Sequence, residues 1–254
     1  MAINHPLVTT LRKLRGNARA CVYTEPLWGI PFNLYAPYAS VYMLALGLTD
    51  VQIGLLTSIG LVLQVFWALM SGPITDKLGR KRTTFIFDVI SWSIPCLIWA
   101  VAQNFTYFLL GVIVNAVWRV TANSWQCLLV EDTDERLLVD IYSWIYIAGL
   151  LAAFVSPLTG FLIDQYSLIP TIRGLYVLSF VMMTAKFVIL NALAKETQQG
   201  LVRMEETRHQ PLFAVVGESK GVLKQILHSP ATLYTAGLMI IMGITNTVRG
   251  TFWA

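Results

Sequence analysis

The chain has 254 residues, 56% hydrophobic and 13% charged, with a mean hydropathy of +0.63 and a net charge of +4. An ordinary soluble domain carries about twice that charged share, and a disordered chain needs the opposite bias, so both are excluded. Cys21, Cys96 and Cys127 stand far apart and form neither a disulfide framework nor a metal-ligand spacing, and so small a net charge gives no basis for a nucleic-acid partner.

Residues 1–25 hold no apolar run of the signal-peptide type, so no cleavable leader is expected and the first span should insert itself. Uncharged runs then follow at 26–49, between Asp50 and Asp76, between Asp88 and Arg119, between Asp140 and Asp164, and between Lys224 and Arg249. A membrane-crossing helix needs about 20 mostly apolar residues. The expected spans are 27–47, 51–75, 83–102, 105–130, 137–163, 169–193 and a seventh from near 231. The fold class is therefore an all-α membrane protein. Residues 1–193 form a six-helix transmembrane bundle, 194–230 a cytoplasmic linker, and 231–254 a partial or complete seventh helix that begins a second bundle. No polar stretch follows that helix before Ala254, which reads as a truncation.

Orientation follows from lysine and arginine. Of 18 such residues, 14 fall in the amino-terminal arm (Arg12, Lys13, Arg15, Arg19), the second-to-third turn (Lys77, Arg80, Lys81, Arg82), Arg136, and the linker (Lys195, Arg203, Arg208, Lys220, Lys224). The opposite turns hold only Arg173. A multi-pass protein of the inner membrane with a cytoplasmic amino terminus is expected.

The second-to-third turn reads Gly72-Pro73-Ile74-Thr75-Asp76-Lys77-Leu78-Gly79-Arg80-Lys81-Arg82-Thr83, a spacing of G-x-x-x-D-K-x-G-R-K-R. Gly72 would let two helices approach, Asp76 would end the second helix at the interface, Gly79 would permit a tight reversal, and Arg80, Lys81 and Arg82 would anchor to lipid phosphate. The spacing and its place resemble the signature loop of the major facilitator superfamily. That resemblance implies about twelve spans in two similar halves, of which this chain holds six and the start of a seventh. It also implies a secondary transporter, ion-coupled through protons or sodium. The transporter would move a small-molecule substrate by alternating access, with the missing half or a second copy supplying the other wall. The acids Glu131 and Asp132 close the fourth span on the same side, and the resemblance implies a cytoplasmic gate made of them with Gly72, Asp76, Gly79, Arg80 and Arg82. A non-transporting membrane scaffold or subunit, or a half-transporter working as a dimer, is the alternative.

Arg119 lies deep in the fourth span, where a charge costs at least ~2.5 kcal/mol without a cavity or partner. Asn115, Arg119 and Asn123 repeat every four residues with Gln126 beside them, which makes one polar stripe. The resemblance implies that the first and fourth spans line a central cavity, so this stripe is expected to face substrate. An arginine here also resembles a motif of proton-coupled members, with Ala122 and Asn123 in place of its polar-glycine pair. The first span, interrupted by Pro26, Pro31 and Pro37, offers Asn33, Tyr35 and Tyr38 to the same cavity. Gln64, midway along the second span, is the last candidate. Lys186 is expected to snorkel to the cytoplasmic side, Glu25 to be solvated at the helix start, Asp88 to pair with the basic turn and Arg249 to anchor the far interface. His5, His209 and His228 suggest no metal site. No cofactor is expected, nor an enzyme, because no nucleophile, metal or phosphate-loop constellation sits at membrane depth.

Overall fold

The computed structural model describes residue 11, residues 13–212 and residues 228–252. His5, Arg12, Lys220 and Lys224 lie outside the described residues, as does the side chain of Arg249. Among the described residues five helical stretches are long and apolar enough to cross a membrane: Asp50–Leu78, Arg80–Ala100, Phe105–Val130, Glu135–Tyr166 and Leu168–Leu193. They coincide with the second to sixth expected spans, and the fold is the expected all-α membrane bundle.

The first span is built in pieces. Helix α1 (Gly16–Thr24) leads into α2 (Pro26–Tyr35), a 3-10 turn at Ala36–Tyr38, and α3 (Ala39–Ala45). Pro37 brings no N–H to the ladder, so the chain tightens to the 3-10 form around it. The carbonyl of Leu34, just before this turn, accepts the Thr159 hydroxyl at 2.8 Å. One carbonyl of the proline-disturbed backbone is thus satisfied by the fifth span.

The second span is one helix, α4 (Asp50–Leu78), opened by a capping box between Thr49 and Gln52. The third comprises α5 (Arg80–Asp88), a π turn at Val89–Ser93 and α6 (Ile94–Ala100). Pro95 cannot donate to the carbonyl of Ser91 four residues earlier. Asn115, at the end of α7 (Phe105–Asn115), supplies the missing donor, with Nδ2 2.7 Å from that oxygen. The fourth span resumes as α8 (Trp118–Val130). The fifth divides into α9 (Leu138–Ala153) and α10 (Ser156–Tyr166), the second opening on Pro157. The sixth is α11 (Leu168–Leu193).

Helix α8 packs against α4 and α5, while α11 packs against α2 and α6, and α9 against α2. The small residues of the fifth span therefore serve span one: a Cβ at Gly29 would lie 3.4 Å from the Cβ of Ala152. Two clusters fill the interior, one around Tyr42, Phe108, Met183 and Phe187, the other around Leu14, Leu128, Leu129 and Ile141. Outward faces carry Val51, Val62, Leu69 and Phe154, each more than two-thirds exposed, which suits hydrocarbon and not water. The compact unit runs on to Arg208 and includes α12 (Gln198–Thr207), which lies within the stretch expected as linker and packs on α4. The second unit, from His209, contains α13 (Pro230–Phe252), with an apolar stretch at Thr232–Thr245.

Candidate functional site

Two ionic groupings stand out in the first unit. One is built on the turn between α4 and α5. Gly79 adopts φ +84°, a conformation that favours glycine, and ends α4 where α5 begins. Helix α5 has no side-chain cap of its own. The Glu196 carboxylate does that work from a distance, accepting the amides of Arg80 at 2.8 Å and Lys81 at 3.0 Å, where the helix end is positive.

This leaves the buried Arg80 side chain aimed inward. Its guanidinium meets Asp76 at 3.0 Å and Glu131 at 3.0 Å, the latter through both Nε and Nη2. Asp76 is shared, since its other oxygen accepts Arg203 of α12 at 3.0 and 3.1 Å. That contact holds the Arg203 guanidinium above its ordinary range of basicity. Thr197 donates its hydroxyl to Glu131, and Asp132 accepts the amide of Gln198 at 3.2 Å. The cluster therefore ties spans two, three and four to α12 through charge-assisted bonds.

A side chain at Gly79 would collide with Glu196 and Met204. Gly79→Ala is thus expected to cost about 1–3 kcal/mol from the backbone alone, because φ +84° with ψ 159° is a region essentially only glycine adopts. It should also loosen α12, read as faster limited trypsin cleavage after Arg203. Cleavage at the wild-type rate would show that the turn and α12 are not coupled.

The second grouping lies within the bundle. A cavity of about 370 Å³ opens between spans one, three, four and six. Its walls are Trp28, Phe32, Trp92, Trp118 and Trp125. Trp28 stacks on Phe32 at 4.8 Å and meets Trp92 edge-on at 5.0 Å. Glu25, Asp88 and Lys186 also line it, with Thr121 and Gln126 nearby. Lys186 is 5% exposed and pairs with Glu25 at 2.8 Å. Its ammonium lies 5.8 Å from the Trp28 ring and 5.6 Å from the Trp125 ring, within cation–π range. Asp88, 6% exposed, accepts the Thr121 hydroxyl at 2.7 Å.

Three expectations change here. Lys186 does not snorkel, because Glu25 and two indoles hold it inside. Glu25 is not simply solvated, being its partner. Asp88 bonds Thr121 and not the basic turn, since its place about two helical turns into span three faces span four.

Of the eight expected substrate residues, Gln126 lines the cavity, its Oε1 also accepting the Tyr142 hydroxyl at 2.8 Å. Arg119 donates to Gln64 at 3.2 Å and lies 4.2 Å over the Trp118 ring, so this pair sits on an exposed face beside the cavity. The other five do not line it. Asn33 bonds the carbonyl of Gly29 on its own helix, and Asn123 donates to Thr75. Asn115 is spent on the carbonyl freed by Pro95. Tyr35 is buried in the aromatic core 4.8 Å from Tyr176, its hydroxyl without a partner among the described residues. Tyr38 faces Gly160. In the gate set, Asp76, Gly79, Arg80, Glu131 and Asp132 converge. Arg82 is exposed, and Gly72 has nothing within 4 Å of its Cβ position, so no described helix makes the close approach expected there.

No curated protein matches the chain. The Major Facilitator Superfamily model matches residues 28–253, which covers both ionic groupings apart from Glu25 and extends into α13. The chain therefore belongs to the major facilitator superfamily, and is a multi-pass membrane protein of a family of transporters that bind small molecules within the membrane.

Proposed function

We propose that the protein is a secondary active transporter that moves a small solute by alternating access, driven by protons or sodium. Residues 1–193 act as one rocking bundle, with the segment 194–230 joining it to the bundle begun at 231. The carrying observation is the Asp76–Arg80–Glu131 cluster with Arg203, a set of partly buried ion pairs at one end of the bundle. Such pairs suit a latch because they have two discrete arrangements, made and broken. The charge bias of the turns supports a cytoplasmic position for this latch, at an inner membrane. The tryptophan-walled cavity is the solute site, and intramembrane charges as costly as Asp88 and Lys186 are functional by default. A second bundle supplies the facing wall.

The test is accumulation by proteoliposomes of radiolabelled sugars, amino acids and organic cations under an imposed pH or sodium gradient. Accumulation that collapses with an ionophore, and is lost in Glu131→Gln, supports the reading. Accumulation of none of them, or indifference to the gradient, overturns it.

A further inference from the structure

We infer that the cavity between spans one, three, four and six takes a solute with an aromatic body and one positive charge, with Asp88 as the counter-charge. The inference rests on the reading of that cavity as the solute site. Three ionisable side chains line it, and they do not balance. Glu25 and Asp88 bring two carboxylates, and Lys186 brings one ammonium. Lys186 is committed to Glu25 at 2.8 Å, which leaves Asp88 with the Thr121 hydroxyl and no ion pair among the described residues. Among the described residues, the charged side chains that line this cavity with Asp88 are Lys186 and Glu25; Lys81 shares a smaller, separate pocket with Asp88, and Arg119 bonds Gln64 instead. A carboxylate 6% exposed at membrane depth is costly without a cation to meet it.

The walls decide what kind of cation. A bare metal ion needs about six oxygen ligands, and the side-chain oxygens lining the cavity are those of Asp88, Thr121, Gln126 and Glu25, the last already paired with Lys186. A proton would neutralise Asp88 and leave the indole faces unused. Trp28, Trp92, Trp118 and Trp125 present π-faces and edges around the opening, and Trp28 and Trp125 already receive one ammonium, that of Lys186. Indole faces attract organic ammonium groups and pack flat rings. At about 370 Å³ the space falls within the range of small-molecule sites, with room for one ring and a compact cationic head.

The experiment is equilibrium titration of the purified full chain in detergent, followed by tryptophan emission. The cationic probe is benzyltrimethylammonium, and the control is 2-methyl-1-phenylpropan-2-ol, a neutral alcohol of nearly the same shape. The cation is expected to bind at least about tenfold tighter than the alcohol, as desolvated cation–π and charge contacts would give. Asp88→Asn should bring the two ligands within about twofold of each other. Glu25→Gln should do the same by freeing Lys186 to neutralise Asp88, and it serves if Asp88→Asn fails to fold. Equal affinity in the wild type, or a preference that survives both variants, overturns the inference and leaves Asp88 to a proton or to structure. Uptake of the same radiolabelled cation into proteoliposomes is read separately. Binding without uptake counts against transport through this cavity and sustains the inference.

Discussion

Arg80→Ala is expected to cost about 3 kcal/mol of stability, the lower end of what breaking a buried ion pair costs. The reasoning runs through its partners. Arg80 is 4% exposed and its guanidinium serves both Asp76 and Glu131. Asp76 keeps Arg203 when Arg80 is gone, so little of the loss falls there. Glu131 keeps the Thr197 hydroxyl and the Cys127 thiol but no cation among the described residues, and its side chain is 16% exposed, too little for water to replace the lost fork. Arg80→Lys should recover the charge but not the bidentate geometry, and so restore part of the loss. The deciding comparison is a double-mutant cycle on the unfolding midpoint in detergent. Glu131→Gln should cost stability in the wild type and little or nothing beside Arg80→Ala. Additive losses would show that the two residues do not act as a pair, and the latch would lose its central bond.

The signature turn was legible because its logic is local. Asp76 and Arg80 are four apart across a helix junction, and the positive φ at Gly79 is what a glycine between two helices offers. Glu131 was legible as the acid ending span four. The same reading missed Glu196 and Arg203, which look like ordinary charges in a polar stretch. Their partners lie more than a hundred residues away, at Arg80 and Asp76, and no short-range pattern encodes that meeting.

The cavity is less legible in the sequence, for a different reason. The polar stripe of span four is real as a helical pattern, but helical periodicity says which residues share a face and not what that face meets. Asn115 was claimed by a carbonyl that Pro95 had freed on another span. Asn123 was claimed by Thr75. The signal that would have found the cavity was the charge of Lys186 and Asp88 at membrane depth. Position along a single helix says nothing of Glu25 on the neighbouring span, which holds Lys186 inside. Four tryptophans spread over spans one, three and four gave no sequence pattern at all, because only packing brings them round one opening.

Lys186 carries the sharpest consequence of that packing. Lys186→Met keeps the side chain's length and apolar stem and removes only the ammonium. Two carboxylates, Glu25 and Asp88, then line one cavity with no cation between them. Stranding a buried partner costs about 3–5 kcal/mol, and here two acids are left, so the upper part of that range is expected. Glu25→Gln should cost less, because the ammonium then has Asp88 to face. The pair of losses is therefore unequal, and the inequality distinguishes a shared three-charge site from a simple two-residue bridge. Adding Glu25→Gln to Lys186→Met should restore stability by removing one of the opposed charges. Unfolding midpoints followed by tryptophan emission in detergent measure all three variants. A Lys186→Met protein as stable as the wild type would mean that the ammonium reaches water after all, and that the cavity is not built around it.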